Sequence, residues 1–194
     1  MNNSLKRWAL ALWCALALAF AGCASVPAPE VMQKETEGFQ LPQLPQEGKA
    51  VVYVVRPSGV GTLIRFNVFV DGQEEAAEMG YTRGRQYIYF NLLPGAHKIY
   101  SKAENWAEME VTARAGDIIF IQQNPAMGLV MARNTLERIE EQYQGKYHVK
   151  TLELGTVLKT DLPGASAPPP APAAAAAPAP APPAKARSAK AKKP

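Results

Sequence analysis

The stretch RFNVFVDG, Arg65 to Gly72, carries the pattern that decides the fold. Successive residues of a strand point to opposite sides, so the alternate residues Phe66, Val68 and Val70 share one apolar face. Asp71-Gly72 directly behind them is a strong signal for a two-residue hairpin, whose central positions need positive φ. The pattern predicts a half-buried strand that turns here and returns as a short, polar edge strand over Gln73 to Met79.

Strand signals continue on both sides of this stretch. AVVYVVR, Ala50 to Arg56, is rich in β-branched and aromatic residues and ends at Pro57-Ser58-Gly59. GYTRG, Gly80 to Gly84, predicts a turn, and in the following RQYIYFNLLPGAHKIY two strands flank Pro94-Gly95. Proline followed by glycine favours a type II turn, which splays its flanking strands, so we expect an arch between two sheets.

The downstream half adds three further strands. WAEMEVT, Trp106 to Thr112, alternates again, and Met127 to Ala132 completes the series. Between them DIIFIQQN is apolar on both faces, which is typical of a central strand. About seven short strands separated by turns predict an all-β fold, an antiparallel β-sandwich of the transthyretin or immunoglobulin type.

One segment has helical spacing. Within LERIEEQYQGKYH the apolar positions Ile139, Tyr143 and Tyr147 recur every four residues, with Gly145 as a weak point. We expect one short carboxyl-terminal helix laid over an open sheet edge. His148 to Leu154 would then form a last strand.

The β domain is predicted to occupy residues 49–162, between two segments of different composition. Residues 23–48 contain four prolines and no sustained period, which predicts a flexible tether. Residues 163–194 are almost entirely alanine and proline before KARSAKAKKP, and such a segment buries too little apolar surface to fold, which predicts a disordered tail.

The first 22 residues have the features of an export signal. Lys6 and Arg7 precede an unbroken apolar run of 13 residues from Trp8 to Phe20, shorter than the roughly 20 that span a bilayer. The run shrinks to Ala21-Gly22 and stops at Cys23. Ordinary export with a free thiol at Cys23 is one interpretation of this pattern.

The other interpretation rests on a resemblance. Ala21-Gly22-Cys23 resembles the lipobox of bacterial lipoproteins, with Phe20 where leucine is usual. That resemblance implies cleavage before Cys23 and acylation of the cysteine, and it makes membrane lipid the first partner. Ala24 follows the cysteine where an aspartate retains such proteins in the inner membrane, so it implies the outer membrane, with the domain facing the periplasm.

Charge is distributed unevenly along the chain. Without residues 1–22 and the last ten residues, the chain has 14 basic and 17 acidic residues. The body is therefore slightly acidic, which argues against nucleic-acid binding. The last ten residues hold five cations that are predicted to meet an anionic surface: Lys185, Arg187, Lys190, Lys192 and Lys193.

The order of four motifs resembles a known bacterial domain. GKAVVYVVRP, FVDG, YFNLLPGAHKI and RAGDIIFI follow the pattern of a lipoprotein domain of unknown function, over about Gly48 to Leu154. LLPGAH, Leu92 to His97, is also similar to the repeat of PEGA domains, which are transthyretin-like or immunoglobulin-like sandwiches. The resemblance implies this fold and an envelope location, and it supplies no catalytic residue.

The residues themselves point to no enzyme chemistry. His97 fits a half-buried strand histidine bonded to backbone, and His148 is predicted to be exposed, so we expect no catalytic site, no metal site and no cofactor. Arg83 and Arg85 are candidates for an anionic ligand, against the interpretation of ordinary solvated arginines. Trp106, with neighbouring tyrosines, is a candidate for a glycan or protein contact.

Three hypotheses about function remain open at this point. The first is a non-enzymatic outer-membrane lipoprotein that binds an envelope protein, peptidoglycan or another glycan. The second is an accessory subunit of a secretion or surface-assembly complex, joined through an edge strand or an apolar patch. The third is an envelope hydrolase, which would need Asp117 to act with Glu108 or Glu110.

Overall fold

The computed structural model describes residues 27–127 and 132–162, so the leader, Cys23 and the basic tail lie outside the described residues. Within these ranges the chain forms ten strands: β1 (Ala50–Arg56), β2 (Phe66–Val70), β3 (Glu78–Thr82), β4 (Gln86–Leu92), β5 (Gly95–Lys102), β6 (Trp106–Ala113), β7 (Ile118–Met127), β8 (Ala132–Ile139), β9 (Glu153–Leu154) and β10 (Thr156–Val157). Two α-helices, α1 (Pro29–Thr36) and α2 (Gln142–Thr151), and a 3₁₀ turn at Glu75–Ala77 complete them.

The strands form two five-stranded sheets. The first sheet has the order β8-β7-β1-β4-β9, and the second has the order β10-β3-β2-β5-β6. The second sheet is antiparallel throughout, whereas in the first sheet β1 runs parallel to β7 and β4 parallel to β9. The described chain is therefore mostly β, as the sequence predicts, but it has two α-helices where one was predicted, the first sheet is mixed, and the described strands outnumber the seven expected.

The main core lies between the two sheets. Alternate residues of both sheets meet there in one apolar cluster: Ala50, Val52, Val54, Val68, Val70, Met79, Ile88, Phe90, Leu92, Ile99, Val111, Ala113, Ile119 and Ile121. The central strand of the first sheet is β1, buried at every residue, and β7 lies beside it. The apolar run at Ile118–Ile121 thus does mark an interior strand.

Helix α2 and the chain before β1 cover the other face of the first sheet. Val149 of α2 and Leu41 pack with Tyr53, Val55 and Phe120 in a second apolar cluster. The Tyr53 hydroxyl donates a hydrogen bond to the Gln43 carbonyl (2.6 Å) and accepts one from the Gln43 amide (2.9 Å). This layer explains why β1 is apolar on both faces.

The prediction of a flexible tether over residues 23–48 is wrong for the part that the structure describes. Pro29 begins helix α1, a position where the missing N–H of proline costs nothing. Met32 and Thr36 of α1 are buried, and Lys150 of α2 bonds to Glu35 with Nζ 2.8 Å from Oε2. Pro29 thus starts an ordered element and does not mark a flexible segment.

The carboxyl-terminal helix begins later than predicted and lies elsewhere. Ile139 belongs to β8, and α2 runs through His148 to Thr151, where a strand was expected. The helix packs on a sheet face because β1 and β7 offer Phe120 and Val55 as an apolar surface there. The predicted last strand is reduced to β9, two residues long.

Two predicted turns differ from the structure. Asp71 adopts φ 58°, but β2 and β3 are joined by a longer connection that contains the 3₁₀ turn. The Asp71 carboxylate accepts a hydrogen bond from the Lys98 amide (2.8 Å) and lies 2.7 Å from His97 Nδ1, so Asp71 is held against β5 at the end of β2. Strand β3 lies inside the second sheet and not at its edge, and it includes Gly80, where the sequence predicts a turn. The arch at Pro94-Gly95 is confirmed, since β4 and β5 belong to different sheets.

Candidate functional site

A cleft of about 600 Å³ opens beside the carboxyl-terminal half of α2. Strand β1 ends at Arg56, and the parallel strand β7 passes Gln122 at the same level, so both run toward the same edge of the first sheet. Helix α2 crosses this edge and closes one side of the cleft. The lining residues are Pro27, Pro57, Ser58, Gly59, Arg85, Gln122, Asn124, Tyr147, His148, Thr151 and Leu152.

His148 is the most enclosed polar side chain of the cleft. It is only 6% exposed, and within the described part of the chain its Nε2 atom is buried without a hydrogen-bond partner. Burial lowers the pKa of the imidazole, which keeps the ring neutral near neutral pH. The prediction of an exposed His148 is therefore wrong, because the residue belongs to a helix that packs on a sheet face.

Arg85 supplies a positive charge to the same cleft. Its backbone adopts φ 61°, an uncommon conformation for a residue with a β-carbon, and its amide donates a hydrogen bond to the Arg56 carbonyl (2.9 Å). The side chain is exposed, and no carboxylate of the described residues forms an ion pair with it. Backbone conformations of this kind concentrate at functional sites.

Amide and hydroxyl groups complete the lining. Gln122 Nε2 donates a hydrogen bond to Asn124 Oδ1 (2.5 Å), and Asn124 Nδ2 donates one to Glu137 Oε2 (3.0 Å). The Ser58 hydroxyl accepts a hydrogen bond from the Val60 amide (3.1 Å). A guanidinium, a neutral imidazole and these dipoles can together hold an oxyanion such as a carboxylate or phosphate.

Arg83 and Trp106, the other two candidates from the sequence, lie outside the cleft. The Arg83 guanidinium lies 5.7 Å from the centre of the Tyr81 ring, and Arg65 lies 5.0 Å from the same ring. Trp106 is 37% exposed and tilts against Phe69, with ring centres 5.2 Å apart. The structure thus separates Arg85 from Arg83, two residues away in sequence.

His97 has the environment that the sequence predicts. It is a half-buried residue of β5 whose Nε2 lies 2.8 Å from the backbone oxygen of Leu93. Its other ring nitrogen, Nδ1, lies 2.7 Å from the Asp71 carboxylate. The imidazole therefore ties the β4–β5 arch to the end of β2, which is a structural role.

Among the described residues, Asp117 forms no hydrogen bond with Glu108 or Glu110, the two acids that a hydrolase would need beside it. Its carboxylate accepts a hydrogen bond from the Arg114 amide (3.0 Å) and so closes the turn before β7. Glu110, exposed on β6, lies 3.6 Å from Lys98 Nζ. Among residues 27–127 and 132–162, histidine, cysteine, aspartate and glutamate form no cluster of three or more that could hold a metal ion.

Sequence reasoning found Arg85 but missed its partners in the cleft. The sequence places Tyr147 at a helix end and His148 in a strand, and the approach of these residues to Pro57–Gly59 depends on how α2 crosses the sheet.

In residues 27–127 and 132–162, no helix combines the length and the hydropathy that a transmembrane segment needs.

Comparison with known proteins places the chain in no family. No family model matches it. The chain is 24% identical over 141 residues to a protein of Haemophilus influenzae described as an uncharacterized protein. This match covers 72% of the chain and 79% of that protein.

Proposed function

We propose that this chain is a non-enzymatic lipoprotein of the bacterial outer membrane, anchored through acylated Cys23 and facing the periplasm. Its two sheets form a transthyretin-like or immunoglobulin-like sandwich, as the resemblance to PEGA domains implies. The cleft beside α2 binds an oxyanion of an envelope component, and the five cations of the tail contact anionic surfaces. The leader pattern and the lipobox resemblance support the anchor.

The observation that carries the binding role is the pairing of Arg85 and His148 in one cleft. Arg85 brings an exposed charge without an ion-pair partner in the described chain, and His148 brings a buried nitrogen without a hydrogen-bond partner there. Leaving a buried polar atom unpaired costs about 1–3 kcal/mol, and a ligand that displaced the side chains covering Nε2 would recover part of that free energy. The guanidinium fits carboxylate and phosphate oxygens in the same way.

A titration with two kinds of oxyanion tests this proposal. Soluble peptidoglycan fragments with free stem-peptide carboxylates and inorganic phosphate are titrated separately in a calorimeter, which distinguishes the two sources of the anion. The matched pair of variants is Arg85→Asn and Arg83→Asn, because asparagine tolerates the positive φ of residue 85. Arg83 has the same charge but lies on the Tyr81 ring.

We expect Arg85→Asn to weaken binding of the preferred anion by roughly ten- to a hundredfold, the range for losing a charged hydrogen bond. Arg83→Asn should leave the affinity within about twofold, as an exposed charge outside the site does. Equal binding by wild type and Arg85→Asn would contradict the assignment of the cleft.

A further inference from the structure

One end of the sandwich concentrates positive charge. This end, called the loop end, is where β1, β3, β5 and β7 finish and where β2, β4, β6 and β8 begin. Five exposed cationic side chains lie there: Arg65, Arg83, Arg85, Lys102 and Arg133. The acidic residues Glu104, Glu137 and Glu153 lie at the same end. Because the body as a whole is slightly acidic, this distribution gives the domain a cationic face.

Aliphatic side chains project from the same face. In the connection between β1 and β2, Leu63 is 87% exposed and Val60 is 55% exposed. The connection is held in shape by buried Arg56, whose guanidinium donates hydrogen bonds to the carbonyls of Val60, Gly61 and Ile64 at 2.8–2.9 Å. Because these hydrogen bonds fix the connection, its two exposed aliphatic residues, Val60 and Leu63, hold a constant position relative to the loop end.

The beginning of the described chain lies at the loop end as well. Pro27 lines the cleft together with Pro57, Ser58 and Gly59. Only Ala24, Ser25 and Val26 separate Pro27 from Cys23. Four residue steps span at most about 14 Å when fully extended. A lipid on Cys23 would therefore hold this end of the domain close to the bilayer.

We propose that the loop end docks on the surface of the membrane that holds the Cys23 lipid. Leu63 and Val60 enter the boundary between headgroups and acyl chains, and Arg65 and Arg83 bind the phosphates of anionic phospholipids, which leaves Arg85 to the cleft. The inference rests on the proposed lipid anchor. Docking implies that the domain lies on the bilayer in one orientation, whereas a long flexible tether would hold it away from the membrane in no fixed orientation.

A labelling experiment on the native, lipidated protein tests this orientation. The chain has two cysteines, Cys14 in the leader and Cys23. After processing and acylation, Leu63→Cys therefore provides a single thiol for a nitroxide spin label. Ala76→Cys, exposed in the connection between β2 and β3 at the opposite end, is the matched control. Each protein is added to preformed phosphatidylcholine vesicles with and without phosphatidylglycerol.

With phosphatidylglycerol present, the label at residue 63 should be several-fold less accessible to a water-soluble relaxation agent than the label at residue 76. Adding Arg65→Ser and Arg83→Ser should reduce this difference. Equal, high accessibility at both positions would overturn the docking proposal. The intact mass of the same sample distinguishes a failure of docking from a failure of the lipid anchor. Acylated protein with equal accessibility at both positions refutes docking alone. An unmodified Cys23 refutes the anchor and the docking together.

Discussion

Gly145 of α2 lies directly against the ring of Phe120 in β7. A β-carbon placed on Gly145 would overlap with the ring carbons of Phe120. Phe120 in turn stacks on Tyr53 of β1, with ring centres 5.5 Å apart. This contact sets the height of α2 above the first sheet, and it thereby sets the width of the cleft that the last turn of α2 closes.

Gly145→Ala should therefore destabilise the domain although alanine favours helices. The propensity gain is about 1 kcal/mol, whereas an overlap this severe costs about 2–3 kcal/mol, so we expect a net loss of about 1–2 kcal/mol. Urea unfolding measures the change. Gln144→Ala, in the same helix turn, serves as the control and should change stability little. An alanine variant as stable as wild type would show that α2 is not seated on Phe120.

Acid should destabilise the domain through His148. Burial lowers the pKa of this imidazole in the folded state below its ordinary value of 6.5, so below that pH the unfolded chain binds more protons than the folded chain. Stability from the neutral form is fully present above pH 6.5 and decreases as the pH falls further. The slope contributed by one such group is at most about 1.4 kcal/mol for each pH unit.

Thermal melts at pH 7.5 and 5.5 check this prediction. His148→Gln, which cannot titrate, should lose a smaller part of its stability between the two pH values than wild type does. His97→Gln provides the comparison at the other histidine of the domain. If the His148→Gln protein and wild type lost the same stability on acidification, the imidazole would not be the responsible group.

The strands were more predictable from sequence than the layers that cover them. Val68 and Val70 alternate as a half-buried strand must, and the arch at Pro94-Gly95 follows from local turn geometry. The parallel pairing of β1 with β7 joins residues more than sixty positions apart, and no local pattern encodes it. The position of α2 depends on the same pairing, because β1 and β7 together form the apolar face that it covers.

Arg56 gives a prediction about the connection that carries Leu63. Its guanidinium donates to three carbonyls and lies 3.7 Å from the centre of the Phe66 ring, and burial lowers its pKa to about 10. Arg56→Lys should cost about 2–3 kcal/mol, because an ammonium reproduces neither the planar fork nor the ring contact. Limited proteolysis should then cut within residues 57–65. The exposed Arg65→Lys is the control, and equal protease resistance of the two variants would argue against the role of Arg56.

Two deletions at the carboxyl terminus should differ in their effect on thermal stability. Removing residues 165–194, which are mostly alanine and proline, should leave the melting temperature unchanged, since such a segment has little to bury. Removing residues 153–194 also deletes β9 and β10, and it breaks the contact between Lys49 Nζ and Asp161 Oδ1 (2.5 Å). This longer deletion should lower the melting temperature by several degrees. A large loss from the shorter deletion would show that the tail packs on the domain.

The candidate site was only partly predictable for the same physical reason as the fold. A basic residue between two strands, such as Arg85, is visible in the sequence as a possible anion ligand. The sequence does not distinguish it from Arg83, because only the crossing from the second sheet to the first places one in the cleft and the other on the Tyr81 ring. The burial of His148 was not predictable, because it arises where α2 packs on a sheet face. The four-residue spacing indicates a helix but does not show where that helix packs.

The lipid anchor and the docking of the loop end both depend on the state of Cys23, and the intact mass of the protein purified from bacterial membranes measures that state directly. We expect a chain that begins at Cys23 and is heavier than its polypeptide by one diacylglyceryl group and one amide-linked acyl chain. A chain that keeps residues 1–22, or that begins at an unmodified Cys23 thiol, would contradict the anchor and with it the docking of the loop end on the bilayer.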